Sequence, residues 1–247
     1  MTVFDTVRSR LDDGMRNVRR LEELWKARLE VDVPGLASGV RARLESALQL
    51  TAVPVDAELA APDGPLGWGA IRTEVYAAPR YRKIVFSSIA QRPVLEGFAV
   101  VLLPDPELAA PIFACDFMGL PTHIAVNADA YGTRELGRMP LDLLAPLRET
   151  FGRLGSTSGP PWSLGLASGV GLHARVSPRL GNDAFAAISA AVGRAIEVLG
   201  RAEPGPGGRE SQEAFFRAFH AHGPRRGALR YLYGPAFAER YSRLVFE

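Results

Sequence analysis

Cysteine is almost absent from this sequence: Cys115 is the only one in 247 residues. A single thiol forms no internal disulfide framework and supports no cysteine-based zinc or iron–sulfur site. Charge of one sign is lacking too. The net charge is +2 and arginine dominates the basic residues, so nothing in the balance calls for nucleic acid. No run of about 18 apolar residues occurs, which excludes a membrane-spanning helix. The opening "MTVFDTVRSRLDDGMRNVRRLEELW" has no uninterrupted apolar core. It does not read as a signal peptide, and the cytoplasm is the default compartment.

Common site motifs are missing as well. Walker A, G-x-S-x-G and H-E-x-x-H do not occur. The four histidines, His123, His173, His220 and His222, are too scattered for an evident metal cage, and the "HAH" pair would point to different sides of a helix. "GVGLHA" (169–174) matches G-x-G-x-x-A, but a dinucleotide site needs a helix to begin inside that pattern. The following "HARVSP" reads as extended, so the glycines are better explained by a close approach of another group to a strand. The expectation is a chain with no bound cofactor and no metal site of its own.

What is present is an ordinary globular composition, 47% hydrophobic and 23% charged, long enough for a sizeable core. Helical periodicity runs through 2–30, and 39–50 reads as a second helix. The Pro/Gly-rich stretch 54–67 reads as a loop. The period then changes to short strand-like runs at 68–77, 81–90, 95–104, 110–119 and 121–130, with a sixth at 164–176. Their links are too short for crossover helices, so neighbouring strands are expected to be antiparallel. A helix is predicted at 140–154, with a break at "SGPPW" (158–162). Further helices are predicted at 183–200 with Asn182 as N-cap, at 210–222, and once or twice in the tail. The fold class is α+β, an α/β/α sandwich with a central antiparallel sheet flanked by helices on both faces. One domain is expected over 1–247: N-terminal helices at 1–50, the sheet with one inserted helix at 68–176, and C-terminal helices at 182–247.

Within the run "APIFACDFMG" (110–119) stands Asp116, between the lone cysteine and a phenylalanine. Burying an unpartnered carboxylate is costly, and the usual escape is a raised pKa. Such an aspartate either turns to solvent, pairs with an arginine, or does chemistry.

The strand block resembles the ferredoxin-dependent bilin reductases. The shared pieces are the "PRYRK" opening at 79–83 and the P-x-P-x-x-x-x-P-I-F-x-C-D run from Pro104 to Asp116. An ending with Gly234, Glu239, Tyr241 and Phe246 is also shared, and the similarity spans residues 68–247. The resemblance implies an oxidoreductase that adds electrons and protons to a linear tetrapyrrole, biliverdin or a close relative, bound between the sheet and the C-terminal helices. It implies ferredoxin as external electron donor, no bound cofactor, and side chains as proton donors. Asp116 takes the position of the family's strand aspartate, which passes protons to the bilin; a carboxyl in an apolar pocket keeps its proton towards neutral pH.

The sequence also departs from the family. Positions where some members carry a glutamate and a histidine fall on Ser87 and Ala99, neither of which titrates. The family's second aspartate, ahead of the last helix, is replaced by the "GPRR" turn, Gly223 to Arg226, with His222 just before it as a possible substitute. Arg225, Arg226, Arg175 and Arg153 are candidates for the two propionates, because guanidinium pairs with a carboxylate in a bidentate fashion. Ser168 offers a hydroxyl beside the glycines. Arg217, Arg225, Arg226, Arg230, Arg240 and Arg243 form a basic C-terminal segment suited to an acidic ferredoxin. A monomer is expected, with no nucleic-acid or membrane partner. The alternative is a non-catalytic relative that holds a bilin or haem as carrier or sensor.

Overall fold

A computed structural model describes residues 31–62, 70–91, 95–120, 122–157, 159, 163, 165–222, 230 and 233–246. The strand-like runs become an antiparallel meander: β1 (Thr51–Val53), β2 (Ala70–Ala78), β3 (Tyr81–Gln91), β4 (Leu95–Pro104), β5 (Ile112–Gly119), β6 (Ile124–Tyr131) and β7 (Leu172–Val176), paired in sequence order. From β2 to β6 the links are too short for crossovers and successive strands pair antiparallel, as the sequence predicts; β1 and β7 join the two edges through longer links that hold helices. β1 was not anticipated; three residues on an exposed edge carry no alternation to read. The sixth predicted strand shortens to Leu172–Val176, preceded by an isolated bridge between Tyr131 and Ala167.

Strand alternation sends successive residues to opposite faces of the sheet. The first face carries Phe86, Phe98 and Phe117, whose rings stack at 6.3 and 5.8 Å, together with Ile84, Val100, Phe113 and Val126. Helices α1 (Val33–Ala47) and α5 (Gly181–Leu199) cover it. Ala184, Ala187, Ala191 and Ala195 recur at three- and four-residue steps along the buried side of α5, and their small size lets the helix lie close to the sheet. The second face carries Ile71, Val75, Val85, Val101, Leu103, Ile112 and Tyr131. Against it pack Leu59 from the short helix α2 (Ala57–Ala60), Phe215 and Phe219 from α6 (Gly208–His222), and Tyr241 and Val245 from α7 (Pro235–Phe246). The result is the expected mixed α+β sandwich.

Several boundaries differ from the sequence reading, each for a local reason. Asn182 is not an N-cap. A 3-10 turn, Pro178–Leu180, runs directly into α5, so the helix begins at Gly181 and Leu180 occupies the cap position without a side-chain bond. The helix predicted over 140–154 divides into α3 (Met139–Leu144) and α4 (Arg148–Arg153) around the 3-10 turn Ala145–Leu147, where Pro146 lacks the N–H a continuous helix needs. The helix expected at 39–50 starts earlier, at Val33, where Asp32 Oδ1 accepts from Gly35 N at 3.1 Å. The loop expected over 54–67 contains α2, capped by Asp56. The helix expected over 2–30 and most of "SGPPW" lie outside the described residues.

Candidate functional site

Pairing register places six residues opposite one another across the sheet: Thr73, Ser87, Ala99, Asp116, Asn127 and His173, one from each of β2 to β7. Residues directly opposite in an antiparallel pair share a face, so all six belong to the second face, beneath α6 and α7. A row this polar across an apolar sheet is not demanded by packing. Ser87, Ala99, Asp116 and Asn127 are only partly buried, as are Ile89, Ala114, Met118 and Ala125 around them. They form a window in a face that is otherwise closed by Phe215, Phe219, Tyr241 and Val245.

Asp116 lies at the centre of the row. Asn127 Nδ2 donates to its Oδ1 at 2.8 Å. Burial pushes the Asp116 carboxyl up from 3.8 to about 6, and the Asn127 hydrogen bond and the nearby His173 hold it back from rising further. Burial raises its neighbour Cys115, on the opposite face, well above the usual thiol range, which makes it an inert packing residue.

Beyond Asn127 the row continues into a buried pair. His173 Nδ1 lies 3.3 Å from Asn127 Oδ1, and His173 Nε2 lies 2.8 Å from Asp129 Oδ2. Asp129 is 1% exposed, and its Oδ1 accepts from Ala130 N at 2.8 Å, Ser168 N at 3.1 Å and Ser168 Oγ at 2.5 Å. Gly171 is needed here: a Cβ on it would stand 2.4 Å from the Asp129 Cγ. Of the "GVGLHA" glycines, Gly171 therefore serves a close approach of a side chain to the start of β7, Gly169 adopts a left-handed φ of 76°, and the extended β7 follows them, with no helix. At the other end of the row, Tyr241 donates its hydroxyl proton to Ser87 Oγ at 2.7 Å and lies 2.8 Å from Thr73 Oγ1, tying α7 to the sheet.

The candidates read from sequence divide as follows. Asp116, Ser87 and Ala99 stand together in the row. Ser168 joins it indirectly, through Asp129. Arg175 is exposed on β7, two residues from His173 and so on the same face. Arg153 is not brought to the site: it sits on α4, whose Phe151 packs into the core of the other face, and its guanidinium pairs with Glu149 at 2.6 Å in solvent. Arg225 and Arg226 lie outside the described residues; His222 is the last residue of α6, and its side chain is also outside them. Within the basic C-terminal segment, Arg217 pairs with Glu213, Arg240 with Asp56 and Glu58, and Arg243 with Glu239. Asn127, Asp129 and His173 were not singled out by the sequence reading. The alternation in "NAD" (127–129) places Asn127 and Asp129 on one face, but only register brings them to Asp116 and His173. Among the described residues no group of three His, Cys, Asp or Glu side chains is arranged to hold a metal ion.

A concavity of about 290 Å³ lies elsewhere, between α1 and the first face, lined by Arg41, Arg72, Glu74, Phe86 and Ser88. It contains none of the row.

No family model matches this sequence, and no curated protein matches it. Among solved structures, the fold is similar to that of phytochromobilin synthase from tomato in complex with biliverdin. The TM-score is 0.76 at 16% sequence identity, covering 87% of this chain and 83% of that one. At that identity the likeness shows a shared fold and nothing finer.

Proposed function

We propose that this chain binds a linear tetrapyrrole of the biliverdin type against the window formed by Ser87, Ala99, Asp116 and Asn127, and reduces it with electrons from an external one-electron donor such as ferredoxin. A reduction of this kind adds two electrons and two protons to one double bond. The donor supplies the electrons, and the chain supplies the site and at least one proton. The observation that carries the reading is Asp116: a carboxyl at the centre of a half-open polar row, held by Asn127 and pushed up to about 6 by burial. A proton donor works best with a pKa near the operating pH. The fold it shares with a biliverdin-bound protein supports the ligand class. Arg175 is the described cation best placed to meet a propionate, with Arg225 and Arg226 as further candidates and His222 as a possible second proton donor.

One observation favours a second reading, a bilin or haem carrier. Ser87 and Ala99, the row's neighbours to Asp116, cannot titrate, which leaves a single carboxyl at the window. Visible spectroscopy separates the two. Mixing the protein with biliverdin shifts the tetrapyrrole absorption under both readings; adding ferredoxin and a reductant then produces a new product band only if the chain is a reductase. An unchanged spectrum on mixing refutes both.

A further inference from the structure

Donor and acceptor bookkeeping along the row leads past Asp116. Asp129 Oδ1 takes three donors, which suits a carboxylate, and with Asp129 as a carboxylate its Oδ2 accepts a hydrogen bond from His173 Nε2–H at 2.8 Å. That leaves His173 Nδ1 to face Asn127. With Asn127 Oδ1 turned to Nδ1 at 3.3 Å, that nitrogen too is placed to donate, which is the arrangement of an imidazolium. The amide then presents Nδ2 to Asp116 Oδ1 at 2.8 Å, which suits an ionised carboxylate. The reversed amide satisfies every group equally well in one other arrangement. Nδ2 then donates to a neutral His173 Nδ1, and Oδ1 accepts from a protonated Asp116. The two arrangements hold the same single proton, on His173 in one and on Asp116 in the other.

We propose that Asn127 is a two-position switch that ties the protonation of Asp116 to that of His173, with the buried Asp129–His173 pair as the proton reserve. At rest the proton sits on His173 Nδ1; as the amide turns over His173 loses it, Asp116 gains one and gives it to the bound ligand, and the row takes up its next proton from water. The proton passes through water at the half-open window, and no amide N–H bond breaks. Asn127 and His173 are thus positioning residues that act through Asp116. The inference rests on the reading that Asp116 delivers the proton. The other titratable or charged groups on this side of the sheet are Tyr131 on β6, Arg175 on β7, Tyr241 from α7 and the half-buried His220 beside Phe219 on α6; Cys115 adjoins Asp116 on its own strand but faces the other way.

The test is a double-mutant cycle read on Asp116 in the full, ligand-free chain. The Asp116 carboxyl carbon is followed through its titration by NMR in the wild type, in His173→Gln, in Asn127→Val and in the double variant. Glutamine keeps a donor for Asp129 but has no proton to exchange. With Asn127 present, His173→Gln raises the Asp116 midpoint by about one pH unit or more, the size expected when a nearby cation is lost; in the Asn127→Val background the rise is less than half as large. Equal shifts in both backgrounds mean that His173 acts through space alone, and they overturn the switch, as does no shift in either. If Asn127→Val does not fold, Asn127→Ala fills the same corner of the cycle. The wild type gives a second readout: imidazole nitrogen shifts show both His173 nitrogens protonated while Asp116 is ionised, and a neutral ring in that range also overturns the proposal. Because no bilin is present, a protein that passes this test yet leaves the biliverdin spectrum unchanged refutes the proposed function and keeps the switch. One that reduces biliverdin and fails the cycle does the reverse.

Discussion

Asp116 sets two opposed demands on one side chain. Its folded pKa of about 6 exceeds the ordinary 3.8, so the folded chain binds more protons than the unfolded one between those values. Stability from this group is therefore present below about pH 4 and is lost as pH rises to about 6, at a cost of up to about 3 kcal/mol for a shift of about two units. Asp116→Asn removes that cost. The variant is expected to be at least as stable as the wild type at pH 8, with a flatter stability profile between pH 4 and 6, as measured by urea unfolding. Bilin binding persists, while single-turnover reduction falls by about 10²–10⁴-fold, the usual contribution of a proton donor. In the wild type the same rate rises as pH falls towards 6. An Asn variant that reduces bilin at the wild-type rate would remove Asp116 from the chemistry.

At the scale of elements, the row depends on how α7 and β7 are set against the sheet. Tyr241 reaches from α7 to hydroxyls on β2 and β3. Tyr241→Phe deletes both contacts but leaves Thr73 and Ser87 paired at 3.2 Å. A loss of about 1–2 kcal/mol follows, read as a lower urea midpoint with an unchanged slope. At the start of β7, Gly171 lies against the Asp129 carboxyl. Gly171→Ala forces Asp129 or the strand to move, costs about 1–3 kcal/mol, and disturbs the Asp129–His173 pair, visible as a changed His173 imidazole NMR signal. An unchanged His173 signal would show that the close approach is relieved without touching the pair. These elements also show where the sequence was legible. Alternation and turn residues marked five of the seven strands nearly to their ends. Pro146 and the 3-10 turn before α5 moved helix boundaries because backbone geometry at those points outweighs periodicity.

Across the whole molecule, a ligand held between the sheet and the C-terminal helices binds only the folded state. Saturation at about 100 times Kd stabilises by about 2.7 kcal/mol, which for a chain of this size raises Tm by about 5–10 °C. Biliverdin is expected to produce that shift in the wild type and in Asp116→Asn alike, and its absence in a thermal melt would count against the site. Electron delivery is a property of the surface. Arg217, Arg240 and Arg243 of the C-terminal helices pair with Glu213, with Asp56 and Glu58, and with Glu239, so long-range attraction of an acidic donor is muted. Raising ionic strength from about 0.02 to 0.3 M should slow ferredoxin-driven reduction by less than tenfold. A larger drop would shift the docking role to Arg225, Arg226 and Arg230.

Sequence alone determined the local order of this protein: which stretches alternate, which turn, and that an aspartate stands in an apolar strand. Those features depend on side-chain periodicity and on backbone preferences of Pro and Gly, which act within a few residues. Tertiary structure decided what the aspartate meets. Asn127, Asp129 and His173 lie 11, 13 and 57 positions along the chain from Asp116, and the separations of 11, 46 and 44 residues spanned by their hydrogen bonds are closed only by strand register. A one-residue slip would turn the whole set to the opposite face, because side chains alternate with a period of two. Arg153 shows the same point in reverse: a guanidinium of the right chemistry sits on a helix that packs against the other face of the sheet.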